Sequence, residues 1–286
     1  MPELPEVETI RRGLTRFIVG KKILRVKVFQ DSVKSSFIGD SSACVSAEIT
    51  GIRRFGKALV IDLDNGYSLM IHLRMTGQLI WRGAEQYAGG HPSDNFVAEL
   101  PNKQTRVEFG LSDGVLYFND QRRFGFIKVI ATDEVEQDNF IRKLAKEPWE
   151  IEPEELYKKF IQHAKSPVKA LILDQTIICG LGNIYVDESL FFAGIHPETR
   201  AGDLELDDVK RIVEGARKVM QESIDSGGST MATYVRADGT KGDYLEKFAK
   251  VFRREGLECM ECGAKIIKIR VAGRGTHICP NCQRKK

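Results

Sequence analysis

Four cysteines near the end of the chain constrain its fold more than any other feature of the sequence. They form two Cys-x-x-Cys pairs, Cys259 with Cys262 and Cys279 with Cys282, separated by sixteen residues. Two such pairs supply the four thiolates that a tetrahedral zinc ion takes. The early sequence has no apolar run of the kind found in a secretory signal, and in that context clustered cysteines favour a metal over disulfides. The sequence therefore predicts one structural zinc, held entirely by protein side chains.

The segment between the two cysteine pairs predicts a β-hairpin. Residues 265–271 and 274–278 read as its two strands, and Arg274 falls near the tip. The remaining two cysteines, Cys44 and Cys179, have no such pairing, and we expect them to be buried as small apolar residues.

The opening Met-Pro-Glu-Leu-Pro-Glu-Val-Glu-Thr is the next informative stretch. Removal of Met1 would leave the nitrogen of Pro2 as a secondary amine, a nucleophile with an unperturbed pKa of roughly 8. Apolar residues at helical spacing predict a helix directly after it, whose positive end would disfavour the cationic amine. Glu3 stands beside the amine as a candidate proton carrier. Proline and glutamate are also common at ordinary helix entrances, so these residues alone leave both interpretations open.

Residues 23–130 read mostly as β-strands. Turn sequences at 64–66 and 112–114, Asp-Asn-Gly and Ser-Asp-Gly, separate pairs of apolar strands and predict two hairpins. The polar residues 83–102 are predicted as a loose loop between strands. The pattern indicates a β-sandwich or barrel with one helix in front of it.

Three loops of this β region carry side chains suited to a DNA duplex. Lys57 follows a glycine, His72 and Met75 lie at one strand end, and Arg122 and Phe124 lie in an Arg-Arg-Phe-Gly turn. Unstacking of DNA requires apolar side chains between bases, and base reading requires arginine-like donors. Each loop taken alone is more often structural, so the functional interpretation depends on their occurring together.

The pattern becomes helical from about residue 133. Residues 167–175 and 184–192 flank a Gly-Leu-Gly-Asn turn and predict two helices whose junction can bind a phosphate, with three polar side chains to complete it (Lys165, Lys169 and Asn183). A third helix is predicted at 207–226. The glycine-rich residues 226–242 that follow are predicted to form a mobile lid.

Charge and hydropathy limit the possible partners. The formal net charge is only +3, but lysine and arginine occur in local clusters that can follow a phosphate backbone. No segment is apolar enough for a membrane span, so we expect a cytoplasmic protein without a membrane partner.

In sum, the chain resembles the formamidopyrimidine-DNA glycosylases of bacterial base-excision repair. The resemblance covers essentially the whole chain and rests on motifs in the family's order, at 2–9, 72–77, 119–125, 182–191, 227–230 and the four cysteines. It implies an α+β multidomain protein with three parts: an N-terminal β-sandwich with a leading helix (1–133), a helical helix-two-turn-helix DNA-binding domain with the lid loop (134–250), and a four-cysteine zinc finger (251–286).

The resemblance also implies an activity and its residues. Family members excise oxidised purines, 8-oxoguanine and formamidopyrimidines, from duplex DNA, and then cut the strand by β,δ-elimination. By similarity, Pro2 forms the Schiff base, Glu3 is the acid/base, Lys57 assists proton transfer, and Arg274 serves the elimination. The remaining matches are DNA contacts: Met75, Arg122 and Phe124 fill the vacated space, and phosphate or other contacts are implied for His72, Gln104, Lys165, Lys169 and Asn183.

Two stretches depart from the family pattern. Phe252 lies where many members have a tyrosine, and Gln104 lies where histidines are common. We expect modestly altered DNA affinity with the chemistry intact, because neither change touches Pro2 or Glu3.

Two alternatives stay open. An endonuclease VIII-type glycosylase for oxidised pyrimidines shares the proline, the glutamate and the finger, although Leu4 with the pair Arg122 and Phe124 favours the purine branch. A non-catalytic DNA-binding module has no use for a free Pro2. We expect a monomer in the bacterial cytoplasm, associated with the nucleoid, that uses no redox cofactor.

Overall fold

The chain divides into two compact units. In a computed structural model the described residues are 1–29, 36–91, 93–228 and 244–286. The first unit comprises Met1–Arg142 with Ser226–Asp243, and the second comprises Lys143–Asp225 with Tyr244–Lys286. The predicted three-domain division stays a prediction, and the finger lies in the same unit as the helices before it. Most of the predicted lid lies outside the described residues.

The predicted N-terminal helix is confirmed as α1 (Leu4–Ile18). Its apolar residues recur every three or four positions and are all buried (Leu4, Val7, Ile10, Leu14 and Ile18). Each such side chain contributes about 1.5–3 kcal/mol to folding. The helix therefore presents one continuous apolar face to the sheets beside it.

The first unit is a β-sandwich of two five-stranded sheets, as far as its described residues show. One sheet has the order β1-β8-β9-β6-β7 and the other β2-β10-β5-β4-β3. The predicted hairpins are confirmed as β4/β5 and β8/β9. The strand bounds are Ile23–Val28 (β1), Phe37–Ile38 (β2), Ile49–Phe55 (β3), Ala58–Leu63 (β4), Tyr67–His72 (β5), Gly77–Arg82 (β6), Gln86–Gly90 (β7), Thr105–Leu111 (β8), Gly114–Asp120 (β9) and Phe126–Ala131 (β10).

The prediction of a loose loop at 83–102 was wrong over its first part, where β7 pairs antiparallel with β6. Two glycines at its end disguise the strand in the sequence. Gly89 is needed there, since a Cβ at this position would lie 2.6 Å from Cγ1 of Ile10. The Tyr87 hydroxyl donates to the carbonyl of Thr9, 3.3 Å away. This strand therefore fixes the helix that begins at the candidate nucleophile.

The core of the first unit lies between the sheets and under α1. Inward-facing residues of both sheets share one apolar cluster with the helix, among them Leu59, Ile71, Phe109 and Phe118. α1 packs against β3 and β7, which are the edge strands of the two sheets. The N-terminus is therefore held at a fixed place on the sandwich.

The second unit contains α2 (Pro153–Gln162), α3 (Val168–Leu173), α4 (Asn183–Ala193), α5 (Leu206–Asp225), α6 (Tyr244–Lys247) and the hairpin of β11 (Ile267–Val271) and β12 (Arg274–Ile278). The predicted helical pair, third helix and finger hairpin are thereby confirmed. α4 packs against α5, α3 and β12. Among the described helices, none is both long enough and apolar enough to cross a membrane.

Candidate active site

Pro2 and Glu3 are both buried at the entrance of α1. Glu3 is the N-cap residue, and its carboxylate accepts the main-chain N–H of Glu6. In return the main-chain N–H of Glu3 donates to Oε2 of Glu6, 2.8 Å away. This reciprocal capping box fixes the Glu3 backbone and carboxylate beside Pro2. The positive end of the helix lies at the same place, which favours a neutral amine over a charged one.

The next turn of α1 ties the helix to the loop that carries Lys57. Burial raises the pKa of the Glu8 carboxyl, but hydrogen bonds from three arginines outweigh burial and hold that pKa at about 2 (Arg11, Arg12 and Arg54). Arg54 belongs to β3, and its guanidinium bonds both Glu8 (3.1 Å) and the carbonyl of Gly56 (3.1 Å). The residue directly before Lys57 is thereby connected to the candidate nucleophile's helix.

Lys57 and His72 are brought together at one end of the β4/β5 hairpin, where Ala58 pairs with His72. Both side chains are buried. Burial, with the positive charges of Arg74 and Lys57, lowers the pKa of His72 to about 3. His72 Nδ1 accepts the N–H of Arg74 at 3.0 Å, so the proton of the neutral ring lies on Nε2. The imidazole can donate a hydrogen bond near neutral pH but carries no charge there.

One buried carboxylate joins the loops that carry the predicted DNA-reading residues. Asp120 has no exposed surface. It accepts the hydroxyl of Thr76 and the main-chain N–H groups of Arg122 (3.2 Å) and Gly125 (2.7 Å). The N–H of Arg122 also donates to Oγ1 of Thr76, 2.9 Å away. Loops 73–77 and 121–125 therefore form one rigid rim.

The three side chains predicted to enter the duplex lie on this rim. Met75 is half-buried, Arg122 is exposed, and Phe124 is 49% exposed, an unusual exposure for a phenylalanine. The Arg122 guanidinium lies over the Phe124 ring, 4.9 Å from its centroid. A cation held against an aromatic face is preorganised, and it leaves the outer face of the ring available for stacking.

Gln104 is held within the protein and does not project freely. Its side-chain oxygen accepts from Asn95 Nδ2 at 2.6 Å. Its main-chain carbonyl accepts the N–H of Asp120 at 2.9 Å, so it lies beside the rim. The predicted DNA contact of Gln104 stays a prediction.

Two residues of this site were missed by sequence reasoning. Asp120 lies inside a recognised motif, but only its burial identifies it as the acceptor for three donors. His91 lies in the stretch predicted as a loop, and its N–H donates to the carbonyl of Gly77 at 3.0 Å. Burial and then the charge of the N-terminal amine lower the pKa of His91, while Asp120 acts in the opposite direction. The amine in question is that of Met1, which precedes Pro2 in the chain.

In the second unit, Asn183 and Arg274 come together. Asn183 is the first residue of α4, and its Nδ2 donates to the carbonyl of Gly275 at 2.9 Å. Arg274 begins β12 and is exposed, as is Lys165 before α3. These residues offer donors and positive charge to an anion at the surface of this unit.

Lys169, for which a phosphate contact was predicted, is buried inside the second unit, and that contact stays a prediction. Its side chain has no exposed surface, and Nζ donates to Asp187 Oδ1 (2.5 Å) and Thr276 Oγ1 (2.8 Å). The sequence did not indicate this burial, because both partners are distant along the chain.

Glu188 is a further buried carboxylate that sequence reasoning gave no role. It accepts the consecutive N–H groups of Lys250 (2.8 Å), Val251 (3.0 Å) and Phe252 (2.7 Å). Burial raises the pKa of Glu188, although these three bonds act against the rise. The segment that leads into the finger is thereby fixed to α4.

The four predicted metal ligands lie close together in the structure. Their Sγ atoms all lie within 4.8 Å of one another (Cys259, Cys262, Cys279 and Cys282). A tetrahedron with Zn–S bonds of about 2.3 Å has sulfur separations of about 3.8 Å, and two of the pairs here, Cys262 with Cys279 and Cys259 with Cys282, are 3.4 and 3.9 Å apart. Hydrogen bonds from Ala264 and Asn281 lower the pKa of the Cys262 thiol to about 6, whereas burial raises the pKa of the Cys279 and Cys282 thiols, so the fit to zinc rests on the sulfur geometry. The set fits one structural zinc with no open coordination position.

Three known family models match parts of the chain. Residues 1–127 match the N-terminal domain of formamidopyrimidine-DNA glycosylase. Residues 144–235 match the H2TH domain of the same enzyme. Residues 256–284 match a zinc finger found in FPG and IleRS.

Full-length relatives and solved structures agree with these matches. Formamidopyrimidine-DNA glycosylases of Pelotomaculum thermopropionicum and Exiguobacterium sibiricum are 40% and 39% identical, over 100% and 99% of both chains. The Lactococcus lactis enzyme, solved non-covalently bound to DNA containing an AP site, has a TM-score of 0.84 at 32% identity and covers 99% of this chain and 100% of its own. Its complex with DNA containing N7-benzyl-Fapy-dG has a TM-score of 0.86, with the same identity and coverage. The chain belongs to the formamidopyrimidine-DNA glycosylase family.

Proposed function

We propose that this protein excises oxidised purines from duplex DNA through a Schiff base on Pro2 and then cuts the strand by β,δ-elimination. Family membership makes the chain a DNA glycosylase of DNA repair. The lesion, the covalent intermediate and the lyase step are the proposal. The observation that carries it is the buried Pro2 at a helix entrance, with Glu3 fixed beside it by the capping box.

The chemistry follows from these two residues once Met1 is removed. The lone pair of the Pro2 nitrogen attacks C1′ of the sugar, the base departs with a proton, and the ring oxygen O4′ takes a proton from Glu3 as the ring opens. The product is an iminium cation, since the proline nitrogen is a secondary amine. The iminium draws electrons from C2′, which loses a proton as the 3′ phosphate leaves. Loss of a second proton, from C4′ of the conjugated product, then expels the 5′ phosphate. A low-dielectric site and the helix N-terminus both favour the neutral, nucleophilic amine.

The rim of loops 73–77 and 121–125 supports the binding side of the proposal. A base flipped out of a duplex leaves a gap, and exposed Phe124 with Met75 supplies apolar surface to fill it. Arg122 supplies the donors that read the orphaned base. His72, Lys165, Asn183 and Arg274 supply phosphate contacts. The L. lactis relatives were solved with damaged DNA, which supports double-stranded DNA with purine lesions as the ligand. We further propose a monomer acting at the nucleoid.

Borohydride trapping tests the covalent step. Mature protein lacking Met1 is incubated with a duplex containing 8-oxoguanine opposite cytosine, and sodium borohydride reduces any iminium to a stable adduct. We expect an adduct with the wild type, and a strongly reduced yield with Pro2→Gly. Glu3→Gln should form little adduct on 8-oxoguanine but still react at a preformed abasic site, because ring opening without base loss demands less acid catalysis.

A thymine glycol duplex is the control for substrate class. An adduct confined to thymine glycol would assign the chain to the pyrimidine-specific branch. Binding to DNA without an adduct on any duplex would indicate that the protein is a non-catalytic DNA-binding module.

A further inference from the structure

A buried polar link connects the two helices α3 and α4 to the finger hairpin. We define it by Lys169 on α3, Asp187 on α4 and Thr276 on β12. Lys169 Nζ donates to Asp187 Oδ1 at 2.5 Å and to Thr276 Oγ1 at 2.8 Å. All three side chains are buried, and the two charged ones have no exposed surface.

The link continues into the main chain of β12 next to Arg274. Oγ1 of Thr276 donates to the carbonyl of Arg274 at 3.1 Å. Oδ2 of Asp187 accepts the N–H of His277 at 2.9 Å. Asn183, one turn before Asp187, donates to the carbonyl of Gly275 at 2.9 Å. Four consecutive residues, 274–277, are thus held by side chains of α3 and α4 or by Thr276 itself.

Stability alone does not explain why the hairpin is attached to the helices through a buried charge pair. Burying an ammonium and a carboxylate carries a large desolvation penalty, and apolar residues of the same volume often stabilise a core equally well. A buried charge pair does, however, fix geometry, because each group is strongly destabilised when it leaves its partner. The groups fixed here lie directly beneath the exposed Arg274.

We propose that Asp187 and Thr276 are positioning residues that hold Arg274 and Asn183 in one fixed arrangement for the strand-cutting steps. This inference rests on the proposed function, in which Arg274 contacts a phosphate and both phosphates leave during strand cutting. Base removal depends on Pro2 and Glu3 in the other unit, so the link acts on strand cutting more than on formation of the iminium.

Thr276→Val removes one polar group of the link and keeps the buried ion pair of Lys169 with Asp187. It keeps the shape of the side chain but removes the hydroxyl that connects Lys169 to the Arg274 carbonyl. We expect β,δ-elimination at a preformed abasic site to slow by about 10-fold, the equivalent of one buried hydrogen bond, with borohydride trapping changed less than about twofold. Thr276→Ser retains the hydroxyl and should recover elimination. In an Arg274→Ala background Thr276→Val should have no further effect, because the link acts through Arg274.

A double variant and its matched control test whether any loss of elimination comes from misfolding. Lys169→Met with Asp187→Leu replaces both buried charges with apolar groups, and we expect an intact fold with elimination again selectively reduced. The matched control is Lys210→Met with Asp207→Leu, an exposed ion pair of the same residue types on α5, 3.1 Å apart. The control should cut strands like the wild type. Zinc content and the thermal melt are measured for all proteins.

The outcomes separate this inference from the proposed function. A wild-type protein that is not trapped on 8-oxoguanine would refute the proposed function. Trapped wild type together with undiminished elimination in both Thr276→Val and the double variant would overturn the positioning role. Parallel loss of trapping, elimination and zinc would also overturn it, since the link would then be structural only.

Discussion

The two units hold their candidate functional residues by different physical means. In the first unit an apolar sandwich supports loops that are gathered by one buried carboxylate, Asp120, through neutral donors. In the second unit the exposed Arg274 and Asn183 stand on a buried charge pair, Lys169 with Asp187, and on a four-cysteine site. In the first unit, the residues of the apolar core and the residues of the functional loops are different groups. In the second unit, buried charged residues belong to the core and also hold the functional residues.

This difference determines where a substitution can change function without changing stability. A substitution of an exposed side chain on the rim of the first unit should change DNA contacts without lowering stability, because the apolar core does not include that side chain. In the second unit the groups that fix Arg274 include a buried charge pair, so removing one charge alone would also destabilise the fold, and only replacement of both separates the two effects. Three experiments test this contrast, in order of decreasing expected effect.

Loss of the metal should have the largest effect and should be confined to the second unit. Cys262→Ser removes one thiolate and should weaken duplex binding by roughly 100-fold or more, because structural zinc contributes about 10–16 kcal/mol to the folding of small zinc domains. Zinc release and fluorescence anisotropy on a labelled duplex measure both consequences. Cys44→Ser, at a buried cysteine of the first unit, should keep zinc and affinity. If a protein shown to be free of metal kept its full affinity for the duplex, the second unit would not depend on its metal site, contrary to this prediction.

Removal of the Asp120 carboxylate should have the next largest effect. Asp120→Ala leaves the donors of Thr76, Arg122 and Gly125 without this acceptor, and should lower the free energy of unfolding of the first unit by about 3 kcal/mol. Asp120→Asn keeps one acceptor oxygen and should cost less. Urea unfolding followed by Trp81 fluorescence, in a Trp149→Phe background, reports on the first unit alone. The exposed Asp113→Ala is the control, and an equal loss there would show that the carboxylate network is dispensable.

The smallest effect should come from acidification. His72 has a pKa of about 3 in the folded protein, against roughly 6.5 when unfolded, so below pH 6.5 the unfolded chain binds a proton that the folded chain does not. From pH 7 to pH 5 this should lower the free energy of unfolding by about 2 kcal/mol. His72→Asn keeps an acceptor for the Arg74 N–H and should remove that part of the pH dependence, whereas the exposed His163→Asn should not. Identical pH profiles for all three proteins would exclude a buried neutral imidazole.

Much of the fold could be predicted because its signals are local. The periodicity of α1, the turns beside β4/β5 and β8/β9, and the spacing of the cysteines are each set by neighbouring residues. β7 was missed because Gly89 and Gly90 lack the side chains by which strands are recognised, and its register is set by packing on α1.

The site was predictable where its chemistry is carried by short motifs, as in Pro2 with Glu3 and in Arg122 with Phe124. It was not predictable where partners are distant. Lys169 reads as a surface cation on a short helix, and only the fold brings Asp187 and Thr276 to its ammonium.

The Glu188 anchor has a consequence for the order in which the protein is made. Its carboxylate takes three N–H groups that lie 62 to 64 residues later in the chain. The strands of the sandwich that the structure describes lie within residues 23–131, so both sheets can pair while the ribosome is still synthesising the helices. α4 must wait for the last part of the chain before its buried acid is satisfied. Synthesis therefore allows the sheets beside the nucleophile to form before the Arg274 hairpin exists.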